Sequence, residues 1–101
     1  MIRTITSEGN TLTVYLEGEI DHHGAMIIRE QIDLAIRSET PELLVLDFSG
    51  VTFMDSSGIG LSIGRFKQIS ALGGELTITG CAEHINRVMR LSGLDKLAKI
   101  N

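Results

Sequence analysis

The chain has 101 residues, 43% of them hydrophobic, and carries nine Lys and Arg against thirteen Asp and Glu, a net charge of −4. That is the size of one domain, residues 1–101, with apolar content enough for a core without staples. The acidic balance and an aromatic content of 4% without Trp argue against a nucleic-acid binder and against docking on anionic membranes. The single Cys81, the absence of a basic then apolar leader, and apolar runs no longer than Leu43 to Leu46 point to a cytoplasmic domain with no membrane segment.

In chain order, Ile2 to Ser7 is short and β-prone, and Glu8-Gly9-Asn10 is a turn. Thr11 to Glu17 alternates, with Leu12, Val14 and Leu16 on one face, so it completes a hairpin. Gly18 breaks that pattern. Asp21 is placed to cap a helix in which Ala25, Ile28, Ile32, Ala35 and Ile36 recur at helical spacing, while Arg29, Asp33 and Arg37 form a charged i, i+4 row on another face. Pro41 ends this helix by Thr40. Leu43 to Phe48 is nearly continuous apolar sequence, which predicts a strand covered on both faces, with a break at Ser49-Gly50. After Val51 to Met54, Asp55-Ser56-Ser57-Gly58 signals a helix start. The helix carries a stripe of Ile59, Ile63, Phe66 and Ile69 and closes at Gly73-Gly74. Glu75 to Thr79 alternates as a strand. Ile85, Val88, Met89 and Ser92 mark a third helix ended by Gly93, and Leu97 to Ile100 suits a last short strand. The order β-β-α-β-α-β-α-(β) requires crossover connections, which are right-handed, and predicts an α/β fold with a mixed sheet flanked by helices.

The segment Phe53 to Gly64 concentrates the chemistry: three hydroxyls, two of them adjacent, a carboxylate and three glycines where a strand meets a helix. Sites in open α/β sheets gather beyond the carboxyl ends of strands. Ser56 falls at the N-cap or first helical position, where free N–H groups and the helix dipole welcome an anion. A phosphate there would add about −1.5 to −2 charge beside Asp55 without unfolding anything; a plain capping serine explains the same residue. Gly60 and Gly64 share one helix face, suited either to tight packing on the chain's own sheet or to close approach by another molecule. Leu61 is a candidate exposed anchor.

Other chemistries fit less well. Gly58-Ile59-Gly60 followed by Gly64 misses the dinucleotide fingerprint by one residue, and no G-K-[ST] follows. A nucleotide-binding or nucleotide-hydrolysing module built on the turn Gly58–Gly60 is the alternative reading. The hydrolase elbow G-x-S-x-G fails, because Met54 and Asp55 stand two residues before Ser56 and Ser57. His22 and His23 are adjacent and do not face one another on a helix, so Asp21-His22-His23 reads as a cap with solvated histidines and no metal site. Cys81, near a helix start, is either a lowered-pKa thiol or a buried inert one.

The segments Gly18-Glu19-Ile20-Asp21-His22-His23, Phe53-Met54-Asp55-Ser56-Ser57-Gly58-Ile59-Gly60, Gly64-Arg65-Phe66-Lys67-Gln68-Ile69, Leu72-Gly73-Gly74-Glu75-Leu76 and Leu91-Ser92-Gly93-Leu94 run in order across nearly the whole chain. With them the sequence resembles the STAS domain family, specifically the bacterial anti-anti-sigma factors, and most of all the sporulation type that antagonises the anti-sigma-F factor. His22 and His23 carry that finer assignment. The resemblance implies a phosphorylation site at Ser56, written by a partner that is both anti-sigma factor and ATP-dependent serine kinase. It implies that only the unphosphorylated form binds this partner and frees the sigma factor, and that a protein serine phosphatase reverses the modification. Asp21 and the helix start, here Asp55, Ser57, Gly58, Ile59, Gly60 and Leu61, match the family's partner-binding surface. On this resemblance the chain is a monomeric switch with no catalytic residue, cofactor or metal of its own.

Overall fold

The computed structural model describes all residues, Met1–Asn101. Strands β1 (Ile2–Glu8) and β2 (Thr11–Ile20) form the antiparallel hairpin, and β3 (Leu43–Met54), β4 (Glu75–Thr79) and β5 (Lys99–Ile100) extend the sheet in parallel, in the order β1-β2-β3-β4-β5. Helices α1 (His22–Glu39), α2 (Ser56–Ala71) and α3 (Glu83–Leu91) make the crossovers, with a 3-10 turn at Leu94–Lys96 before β5.

The sheet is built from rows of apolar side chains in register. Leu12, Leu44 and Leu76 lie side by side across β2, β3 and β4, and Val14, Leu46, Ile78 and Ile100 form the next row. Ile28, Ile32 and Ile36 of α1, Ile69 of α2, and Ile85 and Met89 of α3 close over these rows in a single buried cluster. Burial of such side chains is worth roughly 1.5–3 kcal/mol each relative to exposure, and this layer is the main source of the fold's stability.

The expectation that β3 is covered on both faces is met on one face only. Leu44, Leu46 and Phe48 are buried, whereas Leu43, Val45 and Asp47 on the opposite face are half-exposed. The strands follow one another across the sheet in chain order, so successive right-handed crossovers place their helices on the same side.

The break expected at Ser49-Gly50 is absent. The strand runs through it with extra residues: Tyr15 pairs Asp47 and Glu17 pairs Gly50, then Gly18 pairs Val51 and Glu19 pairs Phe53. Each shift leaves one more residue on β3 than on β2, the signature of a bulge. A side chain at Gly50 would stand 2.9 Å from the Leu16 carbonyl oxygen, so glycine lets the two strands stay close. β2 likewise continues past Gly18, which adopts φ +79°, to reach Ile20 opposite Met54.

The α2 stripe is displaced from the sequence expectation. Its buried line is Gly58, Leu61, Ser62, Arg65 and Ile69, with Ile59, Ile63 and Phe66 flanking it half-buried. The helix packs on α1 as well as on the sheet, and its inner line carries two polar residues, Ser62 and Arg65. Ser62 Oγ donates to the Gly58 carbonyl at 3.0 Å. The Arg65 guanidinium lies against Asp33 of α1, Nε to Oδ1 3.2 Å. Asp33, expected only in a charged i, i+4 row along α1, thus belongs to an inter-helix ion pair.

Candidate functional site

Two helices begin next to each other because two strands end next to each other. Ile20 and Met54 are paired at the carboxyl ends of β2 and β3, and the Asp55 N–H donates to the Ile20 carbonyl at 3.1 Å. The following residues, Asp21 and Asp55, each cap a helix. Asp21 Oδ1 accepts from the Gly24 N–H at 2.7 Å, and Asp55 Oδ1 accepts from the Ser57 N–H at 2.8 Å. Both caps are extended in backbone conformation, as caps require. Their partial positive ends lie at one edge of the molecule, beyond the strand ends where sites in such sheets are found.

Asp55 takes the cap, so Ser56 is the first helical residue of α2. Its side chain is exposed and makes no hydrogen bond within the chain. Ser57 is half-buried beside it, Gly60 is exposed and Ile59 is half-buried. Two residues of the expected surface lie beneath it. Gly58 is buried against the Met54 side chain, and Leu61, expected as an exposed anchor, is 5% exposed. Leu61 lies three residues after Gly58 on the buried line of α2 and faces α1, so it serves the floor of the site and offers little area of its own.

The glycines resolve differently from one another. A Cβ at Gly60 or Gly64 would meet nothing within 4 Å, which removes packing on the chain's own sheet as the reason for either. Gly58 and Gly60 are interior to α2, and the Gly58 N–H is engaged by the Asp55 carbonyl at 3.0 Å. A phosphate cradle needs a loop with free N–H groups ahead of the helix, and this segment is helix.

His22 and His23 are exposed at the start of α1, and the His84 ring nitrogen lies 3.3 Å from the Thr52 carbonyl. No group of three metal-ligating side chains is present, and no helix is long and apolar enough to cross a membrane. Cys81 is half-buried, with its thiol pushed up to about 11 by desolvation and then by the Asp47 carboxylate. It is the inert thiol of the two sequence readings, because α3 begins two residues later and its dipole does not offset burial.

A cavity of about 220 Å³ opens between the two helix starts, lined by His22, Ala25, Met26 and Arg29 of α1 and by Ser57, Gly60 and Leu61 of α2. Sequence reasoning missed Met26, Arg29 and the buried Arg65. Periodicity assigns the first two to the solvent side of α1, and only the packing of α1 on α2 turns them toward Ser57 and Gly60.

The STAS domain profile matches residues 2–101. The chain belongs to the STAS domain family. Among curated relatives, the "Anti-sigma F factor antagonist" of Paenibacillus polymyxa is 40% identical over 89 residues, 88% of this chain and 76% of that one. Among solved structures, "Anti-Sigma Factor Antagonist SpoIIAA in its Unphosphorylated Form" superposes with a TM-score of 0.78 at 25% identity, covering 100% of this chain and 87% of that one. The "Bacillus Cell Fate Determinant SpoIIAA in the Phosphorylated Form" gives a TM-score of 0.78 at 28% identity, covering 100% and 91%. The mixed five-stranded sheet with three helices described above is therefore the STAS fold, and its relatives are regulatory binding proteins.

Proposed function

We propose that this chain is an anti-sigma factor antagonist of the sporulation type, a cytoplasmic switch with no catalysis of its own. In its unmodified form it docks on an anti-sigma factor that is also a serine kinase, and the sigma factor is released. The kinase transfers the γ-phosphoryl group of ATP to Ser56 Oγ, the hydroxyl proton leaves, ADP is formed, and docking ends. A phosphatase hydrolyses the phosphoserine and restores it. The docking surface comprises Asp21, Asp55, Ser57, Ile59 and Gly60, shaped from below by Gly58 and Leu61.

The observation that carries this reading is the exposed, unbonded Ser56 hydroxyl at the first position of α2, directly after the Asp55 cap. The fold tolerates a phosphate there: the helix end contributes about 0.3–1 kcal/mol in its favour. An interface closing over it would leave a charge buried and unpaired at a cost of roughly 2–5 kcal/mol. Rejection of the partner wins while the fold stays intact. The names of the relatives agree, since SpoIIAA has been solved in both states. The nucleotide-binding alternative loses its physical basis with the glycines inside the helix.

The test is direct. Ser56→Ala should bind the cognate kinase as tightly as the unaltered chain and accept no phosphate; Ser56→Asp should bind about tenfold or more weakly. Mass spectrometry after incubation with kinase and ATP should place the phosphate on Ser56. Phosphate on Ser57 alone, or equal affinity of the phosphorylated and unphosphorylated chains, would refute the assignment.

A further inference from the structure

We propose that the groove between α1 and α2 continues the docking surface and receives from the kinase partner an apolar side chain, seated on Met26 over Leu61, and a carboxylate, paired with Arg29. This inference rests on the reading of the chain as an antagonist of such a partner.

Three features of the groove select this occupant. It is continuous with the switch, because Ser57 and Gly60 line it together with Met26, Arg29 and Leu61. Its apolar lip is in solvent: Met26 is 43% exposed on an amphipathic helix whose core line is Ala25, Ile28, Ile32 and Ile36. Its cation has no ion-pair partner. The ion pairs of the molecule are Arg65 with Asp33 and Arg87 with Glu83, so Arg29 has none, and no acidic residue lines the cavity. Arg29 is close enough to Arg65 for the two like charges to oppose each other. A free cation beside an apolar lip is complementary to a partner that brings a carboxylate next to an apolar anchor.

The same geometry sharpens the switch. Ser57 is in the groove wall and Ser56 precedes it, so a phosphate on Ser56 sets about −1.5 to −2 charge at the mouth through which the partner's carboxylate must pass. Modification then repels the very group that Arg29 attracts.

The experiment is calorimetric titration of the purified cognate kinase with Arg29→Glu, Arg29→Gln and Met26→Glu, beside Arg87→Glu as a distant charge control and Ser56→Asp as the switch control. Arg29→Glu should lower affinity about tenfold or more while the melting temperature stays within a few degrees, since the new carboxylate gains Arg65 and opposes Asp33 one turn on. Arg29→Gln should flatten the decline of affinity with salt, a change that a purely structural residue would not produce. Met26→Glu should also weaken binding, and Arg87→Glu should not. Unchanged affinity in Arg29→Glu and Met26→Glu, with Ser56→Asp still impaired, overturns the groove proposal alone. Unchanged affinity in Ser56→Asp overturns the antagonist reading beneath it.

Discussion

Gly58→Ala and Gly60→Ala add the same methyl group to the same helix two residues apart, and the structure assigns them opposite signs. In a helix interior alanine is favoured over glycine by about 0.8–1 kcal/mol. At Gly60 the new Cβ meets nothing within 4 Å, so most of that gain should appear as stability. At Gly58 the Cβ would overlap Met54 Cγ and Sδ. Met54 has limited freedom to yield, because its backbone is the last pair of β3 with Ile20 and its side chain packs on the core cluster. Overpacking of this kind costs about 1–3 kcal/mol, which cancels or exceeds the helix gain. The two variants should therefore differ by about 1–3 kcal/mol, and in a domain of this size each kcal/mol shifts the melting temperature by roughly 4–8 °C. Urea unfolding followed by far-UV circular dichroism measures the difference. A second arm tests the cause: in a Met54→Ala background the clash is gone, and Gly58→Ala should become stabilising. If Gly58→Ala is as stable as Gly60→Ala in the unaltered background, the close approach of β3 to α2 is not a constraint and the reasoning fails.

The inter-helix ion pair and the thiol make two further predictions. Asp33→Asn strands the Arg65 guanidinium, 7% exposed, beside the like charge of Arg29, and should cost about 3–5 kcal/mol; Arg65→Met leaves the Asp33 carboxylate, whose side chain is 25% exposed, and should cost less. Equal losses in thermal unfolding would show that burial of the guanidinium is unimportant. Cys81 is held above its ordinary value of 9.0, so its neutral form is favoured in the folded state. Its contribution to stability is complete below pH 9 and is lost as the pH rises toward 11. At pH 8 the folded chain should react with iodoacetamide roughly a hundredfold more slowly than the unfolded chain, the ratio of thiolate populations for a two-unit shift. Equal rates in the two states would refute it.

Local chemistry was enough to read much of this molecule from its residues. Asp21 and Asp55 announce two helix starts by their capping side chains, Pro41 closes the first helix, and alternation marks β2 and β4, because each of these effects acts over a few residues along the chain. The place of Ser56 at a helix start was legible for the same reason: Asp55-Ser56-Ser57-Gly58 signals that start within four residues. What remained invisible depends on residues distant in sequence. The bulges in β3 exist only relative to β2. Leu61 turns inward and Arg29 and Met26 turn toward the start of α2 only because α1 packs on α2, and Asp33 finds Arg65 across that same contact. Periodicity reports which face of a helix is apolar but not which neighbour it meets. The groove between α1 and α2 is set by the pairing of Ile20 with Met54, which brings two helix starts together across more than thirty residues of chain.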